Sequence, residues 1–304
     1  MEKKDIKSRA RELAAVLQKA SRDAEEVAEN MESGAGQGNK DTKEVIPEQV
    51  IIASGSYKVP YEIKLDGFYD YVKDMGPNVF VIGGDMLEVP YLVKLRNRAN
   101  IDPDSFMEQY VEDIDRANKI LDRFDELLPK SCSKVFFEGE REYLIKTIGE
   151  KVYGTDYDDL FDVDEILKLT KRGYEIIKYA ENCPGVKTMG KMNYVYNNLK
   201  GEYNAQKTFI HCMQSNACVF GTSVEETKSF MSAGGENKKK QIRTAGCMCR
   251  IPERPFNKNN RHMYHFINGF NFTYMNPIGD YSFNTNNVEI TDGKFYDHGK
   301  LYGV

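Results

Sequence analysis

Asp115–Tyr143 has the sequence DRANKILDRFDELLPKSCSKVFFEGEREY. Its first half belongs to a longer amphipathic segment, Ser105–Leu128, which predicts a helix, and Pro129 ends that helix. Lys134–Phe137 then predicts a short strand. The strand stops abruptly at the polar stretch Glu138–Glu142. A strand that leaves the core in this way is where an open α/β sheet normally holds its ligands.

The segments before this stretch repeat the same pattern. Gln49–Ala53 is predicted to be a strand, Leu65–Lys73 a helix and Asn78–Ile82 a strand. The last of these is apolar without alternation, as expected for a parallel strand that is buried on both faces. The alternation of strand and helix predicts a parallel sheet flanked by helices.

The segments after it are more varied. Asp158–Tyr179 is predicted to be mostly helical, with Asp162 or Asp164 as the N-cap of the stretch Ile166–Tyr179. Glu202–Met213 is predicted to be a helix that precedes the strand Ala217–Phe220. The C-terminal part alternates polar and apolar residues around turn sequences, which predicts antiparallel strands. These are Gln241–Ile251, Phe266–Met275, Tyr281–Val288 and Lys294–Tyr302.

Residues 1–32 have a heptad pattern of apolar residues and are predicted to form an amphipathic helix. The main residues of this seam are Ile6, Leu13, Leu17, Val27 and Met31. The helix is interpreted as a docking arm for a protein partner or a second copy; the alternative is that it packs on its own domain or is simply solvated. Residues 33–45 predict a flexible linker, and residues 46–304 predict one domain.

Composition and charge exclude several classes of protein. The chain has 304 residues, 29% of them charged, and no apolar run long enough to cross a bilayer. Its net charge of -5 gives no general reason to expect nucleic-acid binding. No signal-peptide core is recognised, so the six cysteines are expected to be reduced thiols. Cys247 and Cys249 are too close for a zinc knuckle and are expected to be buried small apolar residues.

The order and spacing of the strand ends resemble the calcineurin-like metallophosphoesterase family, in particular its phage-type members. The resemblance covers roughly residues 46–304 and is strongest in Asp115–Tyr143, where family members place a helix, a proline, a strand and then G-N-H-E. It implies an α/β fold, a four-layer α/β/β/α sandwich, to which residues 1–32 would add an N-terminal helical extension. It also implies a two-metal centre at the strand ends.

This chain departs from the family at almost every metal-binding position. The D-x-H pair of the family falls on Gly55 and Tyr57, and its G-D pair survives as Gly84 and Asp85. In G-N-H-E the Asn and His fall on Glu140 and Arg141, followed by Glu142, and the two His of G-H-x-H fall on Thr222 and Val224. The H-G turn should lie within Tyr194–Gly201, which has no histidine. Asp85 is the one ligand that stays intact.

Arg141 stands where a histidine would face the metals, and a guanidinium cannot coordinate a cation. We therefore hypothesise that Arg141 replaces the metals by pairing with Asp85, and with Glu140 or Glu142; the alternative is that Arg141 points to solvent. The chain has four histidines, and all four lie outside the expected ligand positions. No metal and no cofactor are predicted.

The sequence predicts a catalytically inactive metallophosphoesterase-like protein with a structural, assembly or binding role, and the resemblance to phage members points to a virion component. The expected location is the host cytoplasm or the virion. Two other functions stay open. One is an active metal-dependent phosphoesterase with a rebuilt site around Asp85, Glu140 and Glu142. The other is a module that binds a nucleotide or phosphate without cleaving it.

If residues 1–32 are a docking arm, a chain that begins at Glu44 should keep its fold and lose its association with partners or other copies. Light scattering of the full and shortened chains measures the particle mass, and circular dichroism checks the fold. An unchanged mass would contradict the docking-arm interpretation.

Overall fold

A computed structural model describes residues 49–90, 103–153, 160–179, 185–189, 192–196, 218–221, 229–233, 239–253, 267–275 and 283–304. The predicted helix 1–32 and linker 33–45 lie outside these residues, as does the predicted helix Glu202–Met213. All described residues belong to one unit, Pro47–Val304.

In chain order the strands are β1 (Gln49–Ser54), β2 (Val79–Ile82), β3 (Ser133–Phe137), β4 (Tyr174–Ile177), β5 (Val186–Met189), β6 (Met192–Val195), β7 (Cys218–Gly221), β8 (Ser229–Ala233), β9 (Lys239–Thr244), β10 (Gly269–Met275), β11 (Phe283–Glu289), β12 (Phe295–Asp297) and β13 (Lys300–Tyr302). The helices are α1 (Asp66–Met75), α2 (Pro103–Leu127), α3 (Glu140–Tyr153) and α4 (Val163–Leu167), with a 3-10 turn at Ile251–Glu253.

The strands form two large sheets and one hairpin. The first sheet has the order β11-β10-β1-β2-β3-β4, and the second has the order β5-β6-β7-β9-β8. In the first sheet β1, β2, β3 and β4 are parallel, while β10 runs antiparallel to β1 and to β11. The parallel strands therefore carry their carboxyl ends to one edge of the sheet.

Side chains of the central strands alternate between two apolar cores. Ile51 and Ala53 of β1 face the second sheet and pack with Tyr194 of β6. Ile52 faces the helices and packs with the core that contains Phe80. Both faces of these strands are buried, which explains the unbroken apolar sequences from which the strands were predicted.

Aromatic rings fill the core between the first sheet and the helices. Phe124 of α2 contacts Phe80 of β2 at a centroid distance of 4.7 Å and Phe68 of α1 at 5.9 Å. On the other side of α1, Tyr71 contacts Phe295 and Tyr302 of the C-terminal hairpin at 5.5 and 5.1 Å. The same core thus fixes both helices and the end of the chain.

The predicted α/β sandwich class is confirmed, since helices pack on the first sheet and the second sheet packs on its other face. Two predictions within it are wrong. Asp158–Tyr179 is not mostly helical: after α4 the chain turns and enters β4, because burial of Tyr174 beside β3 outweighs the helical spacing. The C-terminal strands are not all antiparallel, since β9 pairs in parallel with β7.

Other details agree with prediction. Asp162 caps α4 by accepting the backbone N–H of Asp164. Cys247 and Cys249 are both buried, and neither is in a disulfide. Within the described part of the chain, no helix has the length and apolar character needed to span a membrane.

Replacing Phe124 with alanine should lower the free energy of unfolding by about 3–5 kcal/mol, because it removes a fully buried ring and leaves a cavity between α1 and β2. Urea denaturation measures the loss. Val111→Ala is the control on the same helix, since Val111 is 57% exposed and its loss should change stability by less than about 0.5 kcal/mol. Equal effects of the two substitutions would contradict this account of the core.

Candidate functional site

The edge where β1, β2 and β3 end carries a set of buried charged residues. We call it the strand-end cluster: Lys58, Asp85, Glu88, Arg141 and Glu142. Four of them are buried, and the Arg141 side chain is 16% exposed. Charged groups are almost never buried unless they are paired, so their contacts decide what this edge can do.

Asp85 is the acceptor at the centre of the strand-end cluster. Its Oδ2 lies 3.0 Å from Lys58 Nζ. Its Oδ1 accepts the backbone N–H of Arg141 at 3.0 Å and the hydroxyl of Tyr196 at 3.1 Å. The φ of Asp85 is 49°, a left-handed conformation that Asp and Asn adopt more readily than most residues. Both carboxylate oxygens are thus occupied by protein donors.

Lys58 is held by Asp85 through both its side chain and its backbone. The Lys58 side chain is 4% exposed, and its Nζ also lies 3.8 Å from Glu88 Oε2. Its backbone N–H donates to the backbone carbonyl of Asp85 at 3.0 Å. A buried ammonium with two carboxylates around it is compensated, whereas removal of either partner leaves an uncompensated charge.

Glu142 organises the beginning of α3. Its Oε2 accepts the backbone N–H of Gly139 at 2.9 Å. Since Glu142 is the third residue of the helix, this is one of the two hydrogen bonds of a capping box; the glycine has no side chain to form the other. The same oxygen accepts the N–H of Asp85 at 3.0 Å, and Oε1 accepts the N–H of Leu87 at 3.1 Å. Asp85 adds a second cap by accepting the N–H of Arg141. Both carboxylates therefore serve the positive end of the same helix.

Two glycines allow the chain to approach itself closely at this edge. A Cβ on Gly139 would lie 2.3 Å from Asp85 Oδ1. A Cβ on Gly55 would lie 1.9 Å from the carbonyl oxygen of Gly246. Any other residue at either position would push the loop away from its neighbour.

Lys58 shares the role that was predicted for Arg141. The hypothesis assigned the ion pair with Asp85 to the Arg141 guanidinium. Lys58 Nζ forms an ion pair with Asp85 at 3.0 Å, and the charge of Arg141 also lowers the pKa of Asp85. Arg141 Nη2 lies 3.7 Å from Glu88 Oε1, and its backbone N–H binds Asp85. The reason is that α3 begins at Glu140, so the helix presents the Arg141 amide to Asp85. The alternative, that Arg141 points to solvent, is wrong.

The remaining predicted site residues that the structure describes have other roles. Tyr57 packs its ring against Phe124 in the helix-side core. Glu140 contributes its backbone N–H, which donates to the Tyr196 hydroxyl at 2.7 Å. Thr222 and Val224 lie outside the described residues.

Sequence reasoning missed Lys58, Glu88 and Tyr196. Lys58 directly follows Tyr57, the position assigned to a lost histidine, and Glu88 is three residues after Asp85. Tyr196 lies inside the segment predicted to hold the H-G turn. The available signal was a lysine, Lys58, between residues that are otherwise apolar or aromatic in Tyr57–Pro60. A lysine in such a stretch is expected to be buried and to need acidic partners such as Asp85 and Glu88.

The carboxylates of the strand-end cluster have pKa values that are shifted in opposite directions. Burial raises the pKa of Asp85, but the charges of Lys58 and Arg141 outweigh this and lower it. Burial and the nearby Asp85 raise the pKa of Glu142 to about 7, against the opposing effect of its backbone donors. Burial also raises the pKa of Tyr196, so its hydroxyl stays protonated and donates.

These residues do not fit a two-metal phosphoesterase centre. Such a centre needs several carboxylate and imidazole lone pairs directed at one point. Here the oxygens of Asp85 and Glu142 accept protein donors, and two cationic side chains stand beside them. In the part of the chain that the structure describes, no group of three or more His, Cys, Asp or Glu side chains has a metal-binding arrangement.

No protein-family model matches the chain, and no curated protein sequence matches it. Among solved structures, it is similar to Vps29 from Entamoeba histolytica in complex with zinc, with 9% identity and a TM-score of 0.39 over 81% of this chain and 96% of that one. A doubly substituted variant of the same Vps29 gives 11% identity and a TM-score of 0.36 over 81% and 96% of the two chains. Scores at this level do not bear on function, so the site rests on its own geometry.

Replacing Lys58 with methionine should destabilise the fold by about 3–5 kcal/mol, because Asp85 and Glu88 then lose a buried cation. Adding Asp85→Asn should recover part of this loss, since Asn tolerates the left-handed backbone and is neutral. Urea denaturation of both single variants and the double variant gives the coupling energy. Additive losses would show that Lys58 and Asp85 do not interact.

Stability should also depend on pH through Glu142. Its pKa rises on folding from 4.5 to about 7, so its contribution is complete below pH 4.5 and is lost as pH rises through about 7. Asp85 acts in the opposite sense, because its lowered pKa gives stability that is lost at acid pH. We expect the free energy of unfolding to fall by a few kcal/mol between mildly acidic and mildly alkaline pH. In Glu142→Gln this fall should be absent; an equal fall would assign it to other groups.

Proposed function

We propose that this protein is a metallophosphoesterase-like protein that does not hydrolyse phosphate esters and that serves as a structural or binding component. The observation that carries the proposal is the buried ion pair between Lys58 Nζ and Asp85 Oδ2 at 3.0 Å. An ammonium occupies the lone pair that a metal would need.

Electrostatic repulsion disfavours a metal ion at Asp85. A unit charge about 4 Å from another costs or gains about 4 kcal/mol at an effective dielectric of 20, and a divalent ion doubles this. A metal at Asp85 would lie beside the Lys58 ammonium, and the Arg141 guanidinium, which contacts Glu88, would add a second positive charge nearby. It would also have to replace the hydrogen bonds that cap α3.

The same contacts weigh against the other two functions at this edge. A rebuilt hydrolase site around Asp85, Glu140 and Glu142 would need Glu142 as a ligand or base, but Glu142 accepts three backbone N–H groups. A phosphate held at the strand ends would need free cationic groups. Lys58 and Arg141 are both engaged by Glu88.

Two features support a role in assembly. The resemblance to phage-type family members suggests a virion component or a protein that helps build one, located in the host cytoplasm or in the particle. The heptad pattern of residues 1–32 provides a segment suited to protein partners or to self-association. On this proposal the folded domain supplies shape and surface, and the arm supplies attachment.

Metal content and activity test the proposal together. The protein is purified with added manganese and zinc, analysed for bound metal by mass spectrometry, and assayed with bis-p-nitrophenyl phosphate. We expect less than stoichiometric metal and no turnover. The control is Asp292→Asn, because Asp292 is exposed and does not belong to the strand-end cluster. Stoichiometric metal, with turnover that is lost in Asp85→Asn and kept in Asp292→Asn, would overturn the proposal.

A further inference from the structure

A cleft of about 510 Å³ lies between α1 and α2, on the helix side of the molecule. Asp66 and Asp70 line it from α1, and Arg116 and Arg123 line it from α2. Tyr69 stands between the two acids on α1. Opposite charges therefore face each other across an open space. This volume is within the range of small-molecule sites, about 300–1,000 Å³.

The two arginines that line the cleft from α2 have hydrogen-bond donors that other described residues do not use. Arg116 binds Glu62 through Nε, and among the described residues its two terminal nitrogens have no partner. Arg123 uses Nη1 for Glu126 at 2.7 Å, and its other nitrogens have no partner in the described chain. Both side chains are about half exposed, at 50% and 51%. A guanidinium held on one side and free on the other is suited to a phosphate or carboxylate group.

Glu62 fixes Arg116 at the cleft. Its side chain is 10% exposed, and one of its oxygens binds Arg116. The other oxygen is buried without a hydrogen-bond partner in the described residues. A buried carboxylate that depends on a single cation holds that cation in place, so the terminal nitrogens of Arg116 are positioned before any ligand arrives.

The opposite wall offers acceptors. Neither Asp66 nor Asp70 makes a hydrogen bond or ion pair with another described residue, although three cationic side chains share the cleft with them. Burial and the nearby Asp66 raise the pKa of Tyr69, so its hydroxyl remains a donor. The Tyr69 ring is fixed edge to face against Phe124 at 5.1 Å, and Ile120 adds a mostly buried apolar surface to the lining.

We infer that this cleft binds a phosphate monoester carried on a hydroxyl-rich body, the chemistry shared by nucleoside monophosphates and sugar phosphates. The phosphate would accept from Arg116 and Arg123, and the hydroxyl groups would donate to Asp66 and Asp70. The inference goes beyond the proposed function, because no residue of the strand-end cluster lines the cleft and binding there involves no hydrolysis.

Isothermal titration calorimetry of the full chain at low ionic strength tests the site with three probes: adenosine 5′-monophosphate, ribose 5-phosphate and inorganic phosphate. We expect saturable binding of the first two and much weaker binding of phosphate alone. Arg123→Gln should weaken binding about tenfold or more, because it removes charge-assisted hydrogen bonds. Asp70→Asn should weaken the two esters but not phosphate alone, whose binding should stay equal or become slightly tighter because a negative charge is removed from the cleft.

The matched controls are Lys171→Gln and Asp292→Asn, which make the same charge changes at exposed positions that do not line the cleft. Both should bind like the unaltered chain, and thermal melting verifies that every variant is folded. Absence of binding at millimolar ligand, or binding unchanged in Arg123→Gln and Asp70→Asn, would overturn the inference. Phosphate that binds as tightly as the esters would overturn the assigned ligand class. Binding that is lost only in Asp85→Asn would place the ligand at the strand ends; it would overturn the inference and also count against the proposed function.

Discussion

The positive end of helix α3 is the constraint on which the strand-end edge depends. Its first amide groups need acceptors, and Glu142 and Asp85 provide them. Once Asp85 is buried in this role its charge needs a counterion, and Lys58 supplies one. Glu88 then lies between two cations. Each buried charge is thus balanced by a neighbouring charge, and the first of them, Asp85, is buried because it caps α3.

The same contacts join three loops that are distant in sequence. Lys58 and Val59 donate their backbone N–H groups to the carbonyls of Asp85 and Met86, which ties the loop after β1 to the loop after β2. Glu142 ties the loop after β2 to α3 by accepting from Leu87. These hydrogen bonds therefore hold the loops of the sheet edge together, whereas an open, charged cleft lies between α1 and α2.

The sequence was informative where one physical effect dominates. Unbroken apolar runs such as Val79–Ile82 predicted the parallel strands, because both faces of such strands are buried. It failed where tertiary contacts compete with local spacing, as in Tyr174–Ile177, whose helical pattern is overridden by pairing with β3. At the site it identified Asp85 and Glu142 but missed Lys58, which forms a buried ion pair with Asp85. Which cation reaches Asp85 depends on the left-handed turn at Lys58, with a φ of 54°, and no sequence pattern encodes that direction.

Asp85 both pairs with Lys58 and caps α3, and this limits how the edge could acquire a metal ion. A single substitution cannot turn this edge into a metal centre, because freeing the carboxylate from Lys58 still leaves it bound to the Arg141 amide and the Tyr196 hydroxyl. Installing a cation would require a new ligand set and a new cap for α3 at the same time. A protein with only some of these substitutions would have neither the ion pair with Lys58 nor a bound cation to balance the charge of Asp85. An aspartate at a strand end can therefore be a structural part of the scaffold, and its presence alone does not indicate a metal centre.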